Sequence, residues 1–473
     1  MTLLPTLLLS LFSWLSPAPA TAPADTSSEW TKQVGARTMP AGKGIFAAAT
    51  YGAVADGKTL NTLAIQKAID AAAQKGGIVT LAPGQYLTGS LFLKKGVTLQ
   101  LDKGVTLLGS QDLKDYPEIM TRVAGIEMKW PAALININDQ DNVAITGQGT
   151  IDGQGKPFWD SYWALRKDYE PKGLRWIVDY DAKRPRLLVA ANATNFTLRG
   201  VTLQRSGFWT VHLLYSKNVT VEGITIRNNL GGHGPSTDGI DIDSSSYVLV
   251  QKCDIDCNDD NFCLKSGRDW DGLRVNRPAE YILIQDCVAG AGGGLFTCGS
   301  ETSGGIRHVI ARRLKANGTQ VGIRIKSALT RGGTVEDIRV EDIEMESVGT
   351  AIQMTMNWNP AYSYSTLPAG YTAETLPPHW KAMLSKVEPA EKGLPHFRNV
   401  VIDNVRVKSA KVAVQAEGQV NSLLENMTLI NITMNAATAG SIKYATGWTV
   451  RNLNIKAADQ APLAVESSPN VKF

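Results

Sequence analysis

Asn195-Phe-Thr-Leu-Arg-Gly-Val-Thr-Leu203 is followed, 23 residues on, by Asn218-Val-Thr-Val-Glu-Gly-Ile-Thr-Ile226, a second copy of one short phrase. Related phrases begin at Asn142, Tyr247, Tyr281, Asp337, Asn399 and Asn426, with further spacings of 29, 34 and 27 residues. Each alternates β-branched residues with a period of two and contains a turn, so each spells short strands. One such unit cannot bury its own apolar face. Stacking the units about 4.8 Å apart pairs every strand edge and aligns the inward side chains in ladders. The expected fold is all-β, a parallel β-helix of short coils. A β-propeller ranks second, because its blades need about 40–45 residues each, more than most of these spacings.

Outward from the repeat, the clearest helix spans Asn61 to Lys75. Ile65, Ala68, Ile69 and Ala72 fall at i, i+3, i+4 and i+7, and Gly76-Gly77 ends it. It is expected to cap the N-terminal end of the stack. Three stretches, near 111–130, 155–186 and 357–395, lack the phrase and hold Trp130, Trp159, Trp163, Trp176, Trp358 and Trp380. Long insertions in a regular solenoid are usually functional or disordered, and aromatic residues argue against disorder. They are expected to wall a groove, the alternative for each tryptophan being simple packing of its loop onto the stack.

The apolar run Leu3 to Leu15, followed by Pro17-Ala18-Pro19-Ala20, matches the hydrophobic region and cleavage site of an export signal and is short for a membrane span. The division expected is a signal peptide at 1–20, an extension at 21–42 and one catalytic β-helix domain at 43–473. The product would be periplasmic or secreted and monomeric, without a membrane span. No cysteine precedes Cys253, so a lipid-anchoring thiol is missing near the start. Cys253, Cys257, Cys263, Cys287 and Cys298 form no paired CxxC knuckles and read as small buried thiols. The formal charge of +4 gives no case for nucleic acid.

Coil spacing also places side chains. Asp238, in Ser236-Thr237-Asp238-Gly239-Ile240-Asp241, lies about one coil before Asp259 and Asp260. Gly299-Ser300-Glu301 follows after an enlarged coil, and Arg324-Ile325-Lys326 lies 25 residues beyond Gly299. One row therefore collects acids and then cations. Mutual repulsion keeps a proton on one clustered acid while another stays ionised, which is what glycoside hydrolysis needs. Strand alternation points Arg324 and Lys326 to one side, where they could hold a sugar carboxylate. Clustered aspartates can also bind calcium, but two adjacent cations fit that less well, and no metal or cofactor is expected. His233, in Gly232-His233-Gly234, is near enough to touch substrate. His212, in an apolar phrase beside Trp209, is expected to be buried.

With Tyr51-Gly-Ala-Val-Ala-Asp-Gly57, Phe208-Trp-Thr-Val-His212, Ser236-Thr-Asp238, Asp259-Asp260 and Arg324-Ile-Lys326, the chain resembles glycoside hydrolase family 28, the polygalacturonases and their relatives. The resemblance covers nearly all of the mature chain. It implies a right-handed, pectin-lyase-like β-helix and inverting hydrolysis of pectic polysaccharides. Asp259 would then be the general acid, Asp238 and Asp260 would orient and deprotonate water, and Arg324 and Lys326 would bind the substrate carboxylate. Two departures stand out: Ser236 replaces the family's Asn, and Gly292-Gly293-Gly294 replaces Gly-His-Gly. The segment beginning at Gly299-Ser300-Glu301 is similar to exo-acting members, with Glu301 a candidate for sugar hydroxyls. The expected activity is exo-acting release of galacturonic acid, with galacturonic acid or rhamnose as the neighbouring sugar. A calcium-dependent pectate lyase and a non-catalytic glycan-binding solenoid remain the alternatives.

Overall fold

The structure is a computed structural model describing residues 26–471, so the expected signal peptide lies outside the described residues. Strands between Ile45 and Glu466 form one continuous parallel sheet wound into a right-handed β-helix. The strand Ile240–Asp243 pairs with Val211–Leu214 on one side and Phe262–Lys265 on the other. Phe262 then pairs with Phe296, and Phe296 with Ile323. Inward positions form the core: Val211, Leu213, Ile240, Ile242, Phe262, Leu264, Phe296, Cys298, Ile323 and Ile325 are each at most 1% exposed. Burying each large apolar side chain contributes about 1.5–3 kcal/mol, and the ladder repeats that gain from coil to coil.

The repeated phrase owes its composition to its corners. Its first residues, among them Asn142, Asn195, Asn218, Asn399 and Asn426, have φ between 54° and 57°, the left-handed region that Asn tolerates. Gly200 and Gly223 occupy a later corner at φ 79° and 63°. Where Tyr247 and Tyr281 take the first position, their rings stack at 4.8 Å, and His308 continues the stack at 4.8 Å. The extension runs along these corners, its Gly35 N–H donating to the Tyr247 carbonyl and its Arg37 N–H to Asn195 Oδ1.

Helix α1 (Thr62–Ala73) buries Ile65, Ala68, Ile69 and Ala72 against the first coils, as the periodicity predicts. A second helix, α2 (Lys156–Tyr169), lies in the insertion and departs from the single-helix reading. Its buried Phe158, Trp159 and Tyr162 fill one short stripe, too brief a periodic signal. Surface pairs Lys156–Asp160 and Arg166–Glu170 support its exposed face. The other insertions are also structured: Glu118–Val123 and Ile126–Pro131 form an antiparallel hairpin, and Pro378–Leu384 is helical.

All three insertions meet in a satellite core containing Ile126, Trp130, Leu174, Trp176, Tyr180, Phe208, Trp209, Leu376, Trp380 and Met383. Trp130, Trp176 and Trp380 are therefore packing residues, at most 5% exposed, and Trp159, 1% exposed, is tied to the stack by its indole N–H on the Ser206 carbonyl. The five cysteines are buried and free. Among the described residues no helix is long and apolar enough to cross a membrane.

Candidate active site

Strand alternation turns every second side chain out of the stack. One outward ladder runs His212, Asp241, Cys263, Thr297, Arg324 and Gln353. The acids precede these strands at the coil corner: the Gly239 N–H donates to the Asp260 carbonyl at 2.9 Å and the Asn261 N–H to the Gly294 carbonyl at 2.8 Å. Asp238, Asp260 and Gly294 thus lie on three successive coils. Glycine is required at the last, since a Cβ on Gly294 would sit 2.7 Å from Asp260 Oδ1 and 2.3 Å from Thr297 Oγ1.

Above this floor is a cavity lined by Asp238, Asp259, Asp260, Lys265, Ser300, Glu301 and Lys326. Phe208 and Trp209 close one flank. The insertions supply the rest of the wall: Ala124 from the hairpin, Arg175 and Asp179 from the second insertion, Trp358 and Tyr362 from the third.

Lys326 Nζ lies 2.8 Å from Asp260 Oδ2, Arg324 Nη1 lies 3.3 Å from Oδ1, and the Thr297 hydroxyl donates to Oδ1 at 2.9 Å. Burial opposes ionisation of Asp260, but Lys326, Arg324 and Lys265 outweigh it and hold the carboxyl well below the usual range. Asp259 goes the other way: burial, then the Asp260 charge, pushes its carboxyl up. The two carboxyls are thus pushed in opposite directions, the pattern that distinguishes acid from base in a carboxylate pair.

Lys265 was not among the residues expected from sequence, and it is central. Its Nζ lies 3.4 Å from Asp238 Oδ2, 3.5 Å from Asp241 Oδ1 and 3.3 Å from Glu301 Oε2. Burial, then the neighbouring Asp241 and Asp259 charges, drives the Asp238 carboxyl well above its ordinary value. Burial likewise pushes Asp241 up to about 8. Glu301 is lowered: burial opposes its charge, and Lys265 and Arg331 overcome it. The ladder spacing could have revealed Lys265, because it pairs in register with Asp243.

The structure gathers Asp238, Asp259, Asp260, Glu301 and Lys326 in the cavity wall, with Arg324 beside them. It leaves His233 outside, in a neighbouring open groove. The expectation for His212 agrees with its position: fully buried, its Nδ1 is 2.7 Å from Arg186 and its Nε2 is 3.3 Å from Asp243. Burial lowers its pKa to about 4.

Ser236, where the family carries Asn, donates to Asp179 Oδ1 at 2.9 Å. Asp179 is held ionised by Arg175 and Arg184 against its burial. Arg175 Nη1 lies 2.8 Å from Asp179 Oδ2, and its guanidinium packs 5.0 Å from the Tyr362 ring centre. Neither Arg175 nor Asp179 carried any signal in the sequence, because both belong to a segment without the period. Of the six insertion tryptophans, Trp358 lines the cavity, with Lys326 Nζ 4.3 Å from its ring centre.

Ligand atoms of Asp238, Asp260 and Cys263 lie within 4.8 Å of one another, close enough to ask whether they could hold a metal. The donor set fits poorly. Lys326 and Arg324 already neutralise Asp260, Lys265 approaches Asp238, and burial pushes the Cys263 thiol far up, away from the thiolate that binds metals.

A right-handed β-helix carrying split carboxylates and cations in a walled cavity defines a solenoid glycosidase. Residues 79–370 match the glycosyl hydrolases family 28, and the chain belongs to that family. A "Probable polygalacturonase" from Vitis vinifera is 31% identical over 399 residues, 82% of this chain and 73% of that protein. An exo-poly-alpha-D-galacturonosidase from Dickeya chrysanthemi is 27% identical over 350 residues, 65% of this chain; the match spans 56% of that relative. The crystal structure of a hyperthermoactive exopolygalacturonase from Thermotoga maritima superposes with a TM-score of 0.71 at 25% identity, covering 91% of this chain and 95% of that one.

Proposed function

We propose that the enzyme hydrolyses α-galacturonosidic linkages of pectic polysaccharides and releases galacturonic acid from the non-reducing end, with inversion. The observation that carries this reading is the juxtaposition, at the floor of a cavity walled by three insertions, of Asp260 paired with Lys326 and Arg324 and of Asp259 without such a pair, which shifts the two carboxyls in opposite directions. The exo-acting relatives from Dickeya chrysanthemi and Thermotoga maritima support it.

Asp259 gives its proton to the glycosidic oxygen, and the leaving sugar departs as an alcohol. A water oxygen bonds to the anomeric carbon and its proton passes to Asp260, which Lys326 and Arg324 keep ionised until that moment. Asp238, held beside Lys265, orients the water. Lys326, Arg324 and Arg175 offer charge-assisted hydrogen bonds to a terminal uronate, and Glu301 accepts from its hydroxyls. The domain at 43–473 does this work as a monomer. Export through Leu3–Leu15 and Pro17-Ala18-Pro19-Ala20 brings it to a polymer outside the cytoplasm.

Time courses on defined oligogalacturonides test the exo assignment. Galacturonic acid is expected as the first and dominant product; random mid-chain cuts would overturn exo action, and unsaturated products lost with a chelator would replace hydrolysis by elimination. The pH profile follows from the two carboxyls. Activity should fall on the alkaline side as the raised Asp259 loses its proton, and on the acid side only when the depressed Asp260 gains one. Steady-state kcat/KM across pH measures both limbs.

A further inference from the structure

Beside the cavity lies a second hollow, and Asp259, which lines the cavity, has its backbone against Gly292 of the other. Residues 259 and 260 face the cavity, whereas Asp256 and Asn258, just before them, face an open groove with Asn229, His233, Gly292 and Gln320. The glycines at 292 and 293 leave the space between groove and proton donor free of side chains: a Cβ on Gly292 would lie 2.9 Å from the Asp259 carbonyl, and one on Gly293 would lie 3.1 Å from Asp259 Oδ1. Any side chain at 293 would press on the carboxyl that delivers the proton.

The groove differs from the cavity in charge. No lysine or arginine lines it among the described residues, and its one carboxylate, Asp256, is bound by Asn229 Nδ2 at 2.6 Å. Arg324, the cation next to the boundary, is not among the residues lining the groove; it is turned to the cavity side, 3.3 Å from Asp260, 3.4 Å from the Gly293 carbonyl and 3.1 Å from Gln353. What the groove offers instead is amides and an aromatic face. His233 is fixed by stacking on Trp163 at 5.2 Å and by Asn258 Nδ2, 3.3 Å from its Nε2, while the Trp163 indole N–H holds the His233 carbonyl at 2.8 Å. The His233 side chain is otherwise exposed.

We infer that this groove is the leaving-group subsite and that it takes a neutral sugar, a hexose or deoxyhexose, in preference to a second uronate. This rests on the galacturonosidase reading. A uronate placed there would bring its carboxylate towards Asp256 without a lining cation, a repulsion that is uncompensated in the groove. A neutral ring would instead lay its C–H face on the imidazole and its hydroxyls on Asn229, Asn258 and Gln320. The side chain that glycine replaces at 293 is also the one that would have narrowed the site over Asp259.

Three substrates sharing a non-reducing galacturonosyl group separate the two claims: α-galacturonosyl fluoride, whose leaving group needs no sugar subsite, a galacturonosyl deoxyhexose and a galacturonosyl galacturonate. The deoxyhexoside is expected to have a kcat/KM about tenfold or more above the uronate disaccharide, the scale of one unfavourable charge contact. Gln320→Arg, which adds a cation to the exposed rim, is expected to narrow or reverse that ratio. His233→Ala is expected to lower kcat/KM for the deoxyhexoside more than for the fluoride. Cleavage of the fluoride with equal or greater preference for the uronate disaccharide overturns the inference and leaves the galacturonosidase reading intact. So does cleavage of the fluoride with neither disaccharide cleaved. No cleavage of any of the three overturns both.

Discussion

The cavity has a floor and a roof made from different kinds of chain. Its floor, Asp238, Asp259, Asp260, Lys265 and Lys326, belongs to successive coils, and hydrogen bonds between coils fix each position relative to the next. Its roof, with Arg175, Asp179, Trp358 and Tyr362, comes from insertions held by a satellite core of aromatic residues. A floor residue is placed by a ladder running the length of the molecule. A roof residue is placed by one local cluster. Chemistry that tolerates little displacement is built on the floor, and the features that close the site to a polymer are built on the roof.

The largest expected effect lies on the floor. Asp259→Asn removes the proton while keeping the shape, and kcat is expected to fall by about 10²- to 10⁴-fold, the usual range for a general acid. A thermal melt unchanged from the parent would assign the loss to chemistry. Full turnover would refute the assignment of Asp259.

Lys326→Met comes next, because it leaves the buried Asp260 without its 2.8 Å partner. Breaking a buried ion pair from one side costs about 3–5 kcal/mol, to be read from chemical denaturation. The folded carboxyl of Asp260 lies below its unfolded value, so its contribution to stability is present above about pH 3.9 and is lost as pH falls through the depressed folded value. Without Lys326 that loss should begin at higher pH, and the acid limb of activity should move the same way.

On the roof, Trp130→Ala should cost about 3 kcal/mol by opening the satellite core. Hydrogen exchange is expected to rise in the 118–131 hairpin and in 174–181 while the coils keep their protection. Equal loss of protection in the coils would mean that floor and roof form one cooperative unit.

The same division explains what the sequence made readable. The period exposed the stack, the capping helix and the neighbourhood of Asp238 with Asp259 and Asp260, because a solenoid converts spacing into contact. Lys265 lay within reach of that argument, one coil from Asp243, although two of its acid partners, Asp238 and Glu301, sit off the strands and only Asp241 lies on one. Arg175 and Asp179 were out of reach: their positions follow from how Trp176 and Tyr180 pack against Trp130 and Trp380, and no local pattern encodes a contact between segments about 200 residues apart. His233 lies next to the cavity and not in it for a related reason. Nearness in sequence put it beside the acids, whereas the turn at 232–236 carries it into the neighbouring groove, against Trp163 of α2.

The smallest effect should fall where floor and roof touch. Ser236 stands at the corner before Asp238, and its hydroxyl donates to Asp179 Oδ1 at 2.9 Å, a hydrogen bond that links the coil bearing the acids directly to the Arg175 partner in the insertion. Ser236→Ala deletes that bond at a cost of about 1–2 kcal/mol, the range for a hydrogen bond to a charged acceptor whose other partners remain. Arg175 and Arg184 still hold Asp179, so the roof should stay folded. KM for a galacturonide should then rise by a few-fold with kcat little changed, because the uronate contact at Arg175 loosens while the carboxylates of the floor keep their spacing. A fall in kcat at constant KM would instead mean that Asp179 acts through Ser236 on Asp238, and that the roof takes part in positioning the water.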